Sequence, residues 1–384
     1  MLLYVHLPFC RQKCRYCDFA SFPGLESRME EYVRALLSEA EQTACEVQEP
    51  VDTVYFGGGT PSLLPPALME LLTLGLRERL PLSSVSEWTS EANPGTLTPS
   101  WLNAAMEGGV NRLSLGMQAG QDRLLRLLGR IHDEKAVEES VLLARSAGIR
   151  NLNLDLIFGL PTQTCAEWRE TLEKAFSLGP EHLSAYGLIP EEGTPLWNDL
   201  QSGMLSLPEP EEERTMYEDL LRETAKRGYL QYEISNFARE GMACRHNLGY
   251  WDQTPYLGLG LSAASLLRKT RSGDGLRYFR RTNTSSPENY LRGIREKHPV
   301  FSEESRIDPA EARFETMMLG LRRTRGVRDR EFLEAHGVSV ESCYGEKLRK
   351  LCRQGLLERG GDAWRLTRRG MDLQNQALVE LMDD

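Results

Sequence analysis

The 384-residue sequence contains no apolar run approaching the roughly 18 residues that a membrane-spanning helix requires. Its opening stretch, MLLYVHLPF, is apolar but short, has no basic start and reads as a strand rather than a signal peptide. It has no low-complexity tract, so an ordinary globular fold is expected. A disulfide framework is also missing. Of eight cysteines, five stand singly at Cys45, Cys165, Cys244, Cys343 and Cys352, which points to a reducing, cytoplasmic compartment. There is no excess of positive charge either. A net charge of −10 argues against general nucleic-acid binding.

What is present is concentrated near the start. PFCRQKCRYCDF packs Cys10, Cys14 and Cys17 into eight positions, with no fourth cysteine nearby. A structural zinc ion wants four ligands, commonly as two pairs. His6 or Cys45 would have to complete such a site, and neither has the usual paired spacing. A [4Fe–4S] cube held by three thiolates leaves one iron open to an outside ligand. An open iron can chelate the amino and carboxylate groups of S-adenosylmethionine (SAM).

The chain up to about residue 240 alternates strand-like and helix-like runs. LLYVHL, VDTVYF, SEWTSEA, RLSLGM, NLNLDLIF and HLSAYGLI read as strands, and segments such as SRMEEYVRALLSEAEQ and DEKAVEESVLLARSAG as helices. Repeated strand–helix units imply parallel strands joined by right-handed crossovers. Six units suit a partial (β/α)6 TIM-like barrel, an α/β fold with function at the C-terminal ends of its strands. Residues 1–240 are assigned to this barrel. Residues 241–305 read as linker, polar ribbon and the segment CRHNLGYW. Residues 306–384 read as a mostly helical, winged-helix-like domain with a hairpin at ERGGDAWRLTRRGMDL.

Polar residues collect at the predicted strand ends. VYFGGGTP places Gly57, Gly58, Gly59 and Thr60 after the second strand, where glycines let backbone atoms approach a small ligand. Glu91, Gln118, Arg130 and Asp155 follow in SEANP, SLGMQ, LLGRIH and NLDLIFGLP. Asp155 is flanked by apolar residues, and a buried carboxylate there needs a ligand or a cation as partner. A set of structural salt bridges across the barrel mouth is the plainer alternative.

The cysteine spacing with these companions resembles the radical SAM superfamily. The resemblance implies that Cys10, Cys14 and Cys17 hold a [4Fe–4S] cluster and that the cluster delivers an electron to SAM, releasing a 5′-deoxyadenosyl radical. It further implies that Gly58, Gly59 and Thr60 hold the methionine amino group, Asp155 and Gln118 the ribose, and Arg130 the carboxylate, with Glu91 in the same network. Tyr16 would lie near the adenine and Tyr4 against the methionyl end.

Within the superfamily, YVHLPFC, FGGGTPS, EANPGTL, GR.H and DLIFGLPTQT resemble the subfamily of the oxygen-independent coproporphyrinogen III oxidases and the HemW haem chaperones. Two departures separate the sequence from the oxidases. Cys17-Asp18-Phe19 stands where they carry C-x-C, and nine residues precede Cys10 where they have a longer segment. His246, Asn247, Tyr250 and Trp251 match the H-N-x-x-Y-W motif of the HemW group. An imidazole is a common axial haem ligand, and two aromatic rings offer a flat surface to a macrocycle. A packed, hydrogen-bonded histidine is the alternative reading.

The expected function is therefore a haem chaperone delivering haem to acceptor haemoproteins such as respiratory cytochromes, without coproporphyrinogen oxidase activity. Its other partners would be an electron donor for the cluster and no nucleic acid. A homodimer and peripheral association with a membrane remain open. The oxidase reading would enlist Arg268, Arg271, Arg280, Arg281, Arg322 or Arg323 for substrate carboxylates. A third reading has the basic C-terminal stretch, with Arg349, Lys350, Arg353, Arg365, Arg368 and Arg369, recognise a protein or nucleic acid.

Overall fold

The structure is a computed structural model and describes residues 1–271 and 275–382. Six parallel strands form its centre: β1 (Leu2–Leu7), β2 (Thr53–Gly58), β3 (Glu87–Ala92), β4 (Arg112–Gln118), β5 (Asn151–Phe158) and β6 (His182–Gly187). They lie in sequence order, each bonded to the next, which is the partial barrel expected. Helices such as Met29–Thr43, Pro66–Arg79 and Glu134–Ala147 cross between them.

Alternation along each strand divides the two faces of the sheet. Leu3, Val5 and Leu7 of β1, Val54 and Phe56 of β2, and Leu152 and Leu154 of β5 are buried in the principal apolar core. Val33, Leu36, Leu37 and Ala40 of the first helix belong to the same core, at the spacing of one helical face. The intervening strand residues, Tyr4, His6, Thr53, Tyr55, Glu87, Glu91, Arg112, Ser114, Asn153, Asp155, His182 and Ser184, are polar or aromatic. They hydrogen-bond with one another or with the segments that close the barrel's two ends.

The sheet continues beyond the barrel on both sides. Tyr256–Leu259 pairs parallel with β1, and Ala264–Arg271, Gly275–Asn283 and Phe301–Arg306 follow as antiparallel strands. The polar stretch expected as ribbon and linker is thus part of a twelve-stranded sheet, although positions 272–274 lie outside the described residues. Main-chain pairing to a long neighbour overrides its weak apolar pattern. From Pro309 the chain is mostly helical around a separate apolar core that includes Met317, Phe332, Leu348 and Trp364. The hairpin Leu357–Gly360 and Ala363–Leu366 gives this region its wing.

No helix among the described residues is long and apolar enough to cross a membrane. The basic C-terminal residues are partly neutralised. Lys350 pairs with Glu380 at 2.6 Å, Arg365 with Glu358 at 2.6 Å, and Arg349 with Glu341. The arginines considered for substrate carboxylates are engaged as well. Arg280 meets Glu315 at 2.8 Å, Arg281 meets Glu46 at 2.6 Å and Arg322 meets Glu233 at 2.7 Å. Arg323 is paired with Asp252, and Arg268 lies 3.6 Å from Glu49. The side chain of Arg271 lies outside the described residues.

Candidate functional site

At the C-terminal ends of the strands lies a cavity of about 400 Å³. Cys10, Cys14, Tyr16 and Cys17 form one wall, and Gly58, Gly59, Thr60, Glu91, Gln118, Arg130 and Asp155 line the rest. Eleven sequence-predicted residues are therefore brought together, with Tyr4 and the four of the H-N-x-x-Y-W motif left elsewhere. The cysteine loop is tied down at several points. Thr60 Oγ1 lies 3.7 Å from Cys10 Sγ, and the Arg130 guanidinium lies 3.5 Å from Cys14 Sγ. Burial pushes the Cys10 and Cys17 thiols up, so they become thiolates most readily when a cation arrives. Among the described residues, no three or more His, Cys, Asp or Glu converge to hold a single metal ion. His6 is engaged elsewhere, and Cys45 is exposed outside this wall.

The glycines are there for space. Gly58 has φ +107°, and a Cβ on it would stand 2.3 Å from the His6 ring; one on Gly59 would stand 2.6 Å from the Phe9 carbonyl oxygen. The Gly58 N–H donates to Glu91 Oε2 at 3.1 Å, and the Tyr55 hydroxyl donates to Glu91 Oε1 at 2.9 Å. Burial, reinforced by Asp155, raises Glu91 to about 7. Asp155, also raised by burial, accepts from Ser114 Oγ at 2.9 Å and Asn153 Nδ2 at 2.8 Å. Its partners within the chain are neutral donors, and it faces the cavity where the expected ligand would lie. Gln118 is held at φ 64°, in the left-handed region that non-glycine residues seldom enter.

Sequence reasoning missed Tyr55 and Asn93. Asn93 donates to Thr60 Oγ1 at 2.8 Å and accepts from Arg130 at 2.6 Å, joining the segments after β2 and β3 to the turn that follows the helix Asp122–Leu127. Its place in SEANP, two residues after Glu91, was the available signal. Tyr4 needs correction. Its side chain lines a second cavity, described below, rather than this one, and its hydroxyl bonds to His6 Nδ1 at 3.0 Å.

The opposite end of the barrel is closed by the helix Arg245–Trp251. Glu87, the first residue of β3, accepts from the backbone N–H of Arg245 and of His246, each at 3.0 Å. His246 is buried, with Nδ1 2.8 Å from Thr53 Oγ1 and Nε2 3.0 Å from the Tyr250 hydroxyl. Burial and the nearby Arg112 lower its pKa to about 3, so it is a neutral imidazole with both nitrogens occupied. Asn247 is half-buried beside it. Tyr250 and Trp251 line a second cavity of about 460 Å³, between the barrel base and the helix Pro309–Arg322. Tyr4, Tyr256, Met318 and Leu319 also line it, whereas His246 does not.

A family model described as the Radical SAM superfamily matches residues 4–175, and one described as the HemN C-terminal domain matches residues 307–373. The chain is 38% identical to the heme chaperone HemW of Bacillus subtilis (strain 168), over 97% of each chain. It is 35% identical to the heme chaperone HemW of Escherichia coli (strain K12), over 99% of this chain and 97% of that one. The chain belongs to the HemW family of radical SAM proteins. The solved structure of coproporphyrinogen III oxidase (HemN) from Escherichia coli has the same fold, with a TM-score of 0.84 over 99% of this chain and 89% of that one, at 22% identity.

Radical SAM membership implies a [4Fe–4S] cluster and SAM, and the upper cavity fits both. It offers three thiols on one wall and no fourth, a glycine cradle stripped of side chains, and two half-buried carboxylates. A ligand carrying an ammonium and hydroxyls suits Glu91 and Asp155, each of which has further acceptor capacity.

Proposed function

We propose that this protein is a haem carrier that binds haem and hands it to acceptor haemoproteins in the cytoplasm or at a membrane surface. The full-length likeness to heme chaperones supports this reading. The observation that carries it is the second cavity. Four aromatic side chains, Tyr4, Tyr250, Trp251 and Tyr256, meet there with Met318 and Leu319, giving flat apolar walls suited to a planar macrocycle. Two of those four come from the H-N-x-x-Y-W motif, and His246 and Asn247 belong to the helix that presents them.

In the upper cavity Cys10, Cys14 and Cys17 would hold the cluster, with Gly58, Gly59, Thr60 and Glu91 around the amino group of SAM. Arg130 would take its carboxylate, Gln118 and Asp155 its ribose, and Tyr16 the adenine side. When bound and reduced, such a cluster supplies an electron to SAM. The protein's own contribution is positional. Asn93 fixes Arg130 and Thr60 against each other, and Ser114 with Asn153 aims Asp155.

Haem-loaded protein mixed with an apo-cytochrome b should restore the acceptor's spectrum, and a Trp251→Ala variant should load less haem. Coproporphyrinogen supplied with SAM and a reductant should yield no vinyl-bearing product. Protoporphyrinogen formation with sustained turnover would replace this reading with the oxidase one. That alternative is not favoured, since the 22% identity to the oxidase supports the fold alone.

A further inference from the structure

Of the side chains facing the second cavity, few are free to turn a donor atom toward a metal. The Tyr4 hydroxyl lies 3.0 Å from His6 Nδ1, and the Tyr250 hydroxyl 3.0 Å from His246 Nε2. Glu315 is clamped by both Arg280 nitrogens, at 2.8 and 3.0 Å, and accepts from Gln253 at 3.2 Å. Tyr256 is packed edge-on against Tyr250, with ring centroids 4.8 Å apart, and its hydroxyl is engaged by the Arg280 guanidinium. His246 is 1% exposed and is not on the cavity wall at all. To reach a ligand there it would have to give up a buried hydrogen bond and pass Tyr250.

Met318 is different. Its neighbour Met317 is fully buried in the core of the C-terminal region, while Met318, one position on, faces the cavity. A thioether carries no proton to lose, is soft, and forms at most weak hydrogen bonds. We infer that Met318 supplies the axial ligand to haem iron in this cavity and that His246 is a positioning residue, holding Tyr250 as a wall. The inference rests on the reading of this cavity as the haem site. The step is a ligand exchange. The sulfur donates a lone pair to ferrous iron, a weakly held water leaves, and neither proton nor oxidation state changes. A thioether is a known axial ligand of haem iron. Its bond is made without an ion pair or a proton, so an acceptor with a stronger ligand, such as imidazole, can take the haem away.

The test uses the full-length protein titrated with dithionite-reduced haem and read by absorption and magnetic circular dichroism. Wild type should show a thioether signature. Met318→Leu, nearly isosteric and expected to melt as wild type does, should lose that signature and bind about tenfold more weakly. Met318→His should convert it to an imidazole signature and bind more tightly. His246→Ala should keep the thioether signature while binding more weakly. An axial signature unchanged in Met318→Leu but lost in His246→Ala would overturn the inference and leave the haem reading standing. Failure of wild type to bind haem at all would remove the haem reading itself.

Discussion

Replacing Glu87 by Gln tests how the H-N-x-x-Y-W helix is docked. The carboxylate accepts two backbone N–H bonds, from Arg245 and His246 at 3.0 Å each, and lies 3.4 Å from Cys244 Sγ. Glutamine presents one acceptor oxygen where two stood, and its amide group would face a donor. One charge-assisted bond is lost and a buried N–H is left unpaired, while the other bond weakens to a neutral one. With about 1.5–3 kcal/mol for a hydrogen bond to a charged group, the expected loss is roughly 2–4 kcal/mol. The buried Arg112 guanidinium, which feels the Glu87 charge, pushes the change the same way. Urea unfolding curves give the difference from the shift in midpoint at constant slope. The double variant Glu87→Gln with Arg112→Met should be less destabilised than the two single changes added together, because the charges share one environment. A loss below about 1 kcal/mol, the size of an ordinary surface substitution, would refute the claim that Glu87 anchors the helix.

Two further outcomes concern the upper cavity. Glu91 titrates near 7, and its ionised form is the better acceptor for the N–H groups of the SAM amine, so SAM affinity measured by calorimetry should rise from pH 6 to pH 8. Glu91→Gln should flatten that rise; a pH-independent wild-type affinity would contradict the assignment. Anaerobic reconstitution should give about four irons per chain, and Cys14→Ala should lose them. Zinc bound in their place would defeat the cluster reading.

Much of the barrel was legible in the sequence because each strand alternates, and its apolar set has to face the helices. All six strands were expected within two residues of where they stand. The cysteines, glycines and strand-end polar residues were legible for the same reason, since a parallel barrel gathers its C-terminal ends on one face. Side-chain partnerships were not. Tyr55 reaches Glu91 across 36 positions, and Asn93 reaches Arg130 across 37, distances at which no periodicity speaks. Tyr4 was misplaced because the sequence does not show that its hydroxyl turns to His6 while that of Tyr55, level with it on β2, turns to Glu91. His246 shows the limit most clearly. The motif sets His246 beside Tyr250 and Trp251, but only the fold reveals Thr53 and Tyr250 occupying both ring nitrogens. The ribbon beyond residue 264 joined the main sheet because its edge-to-edge hydrogen bonding needs no apolar signature.

On the proposed reading, one chain carries two separate sites, one at each end of its barrel. Parallel titrations with haem and with SAM test this most directly, using Leu319→Trp to fill the lower cavity and Asp155→Asn to disturb the upper one. Leu319→Trp should abolish haem binding and leave SAM affinity intact, while Asp155→Asn should do the reverse. Haem affinity unchanged by Leu319→Trp, or lost in Asp155→Asn, would contradict it.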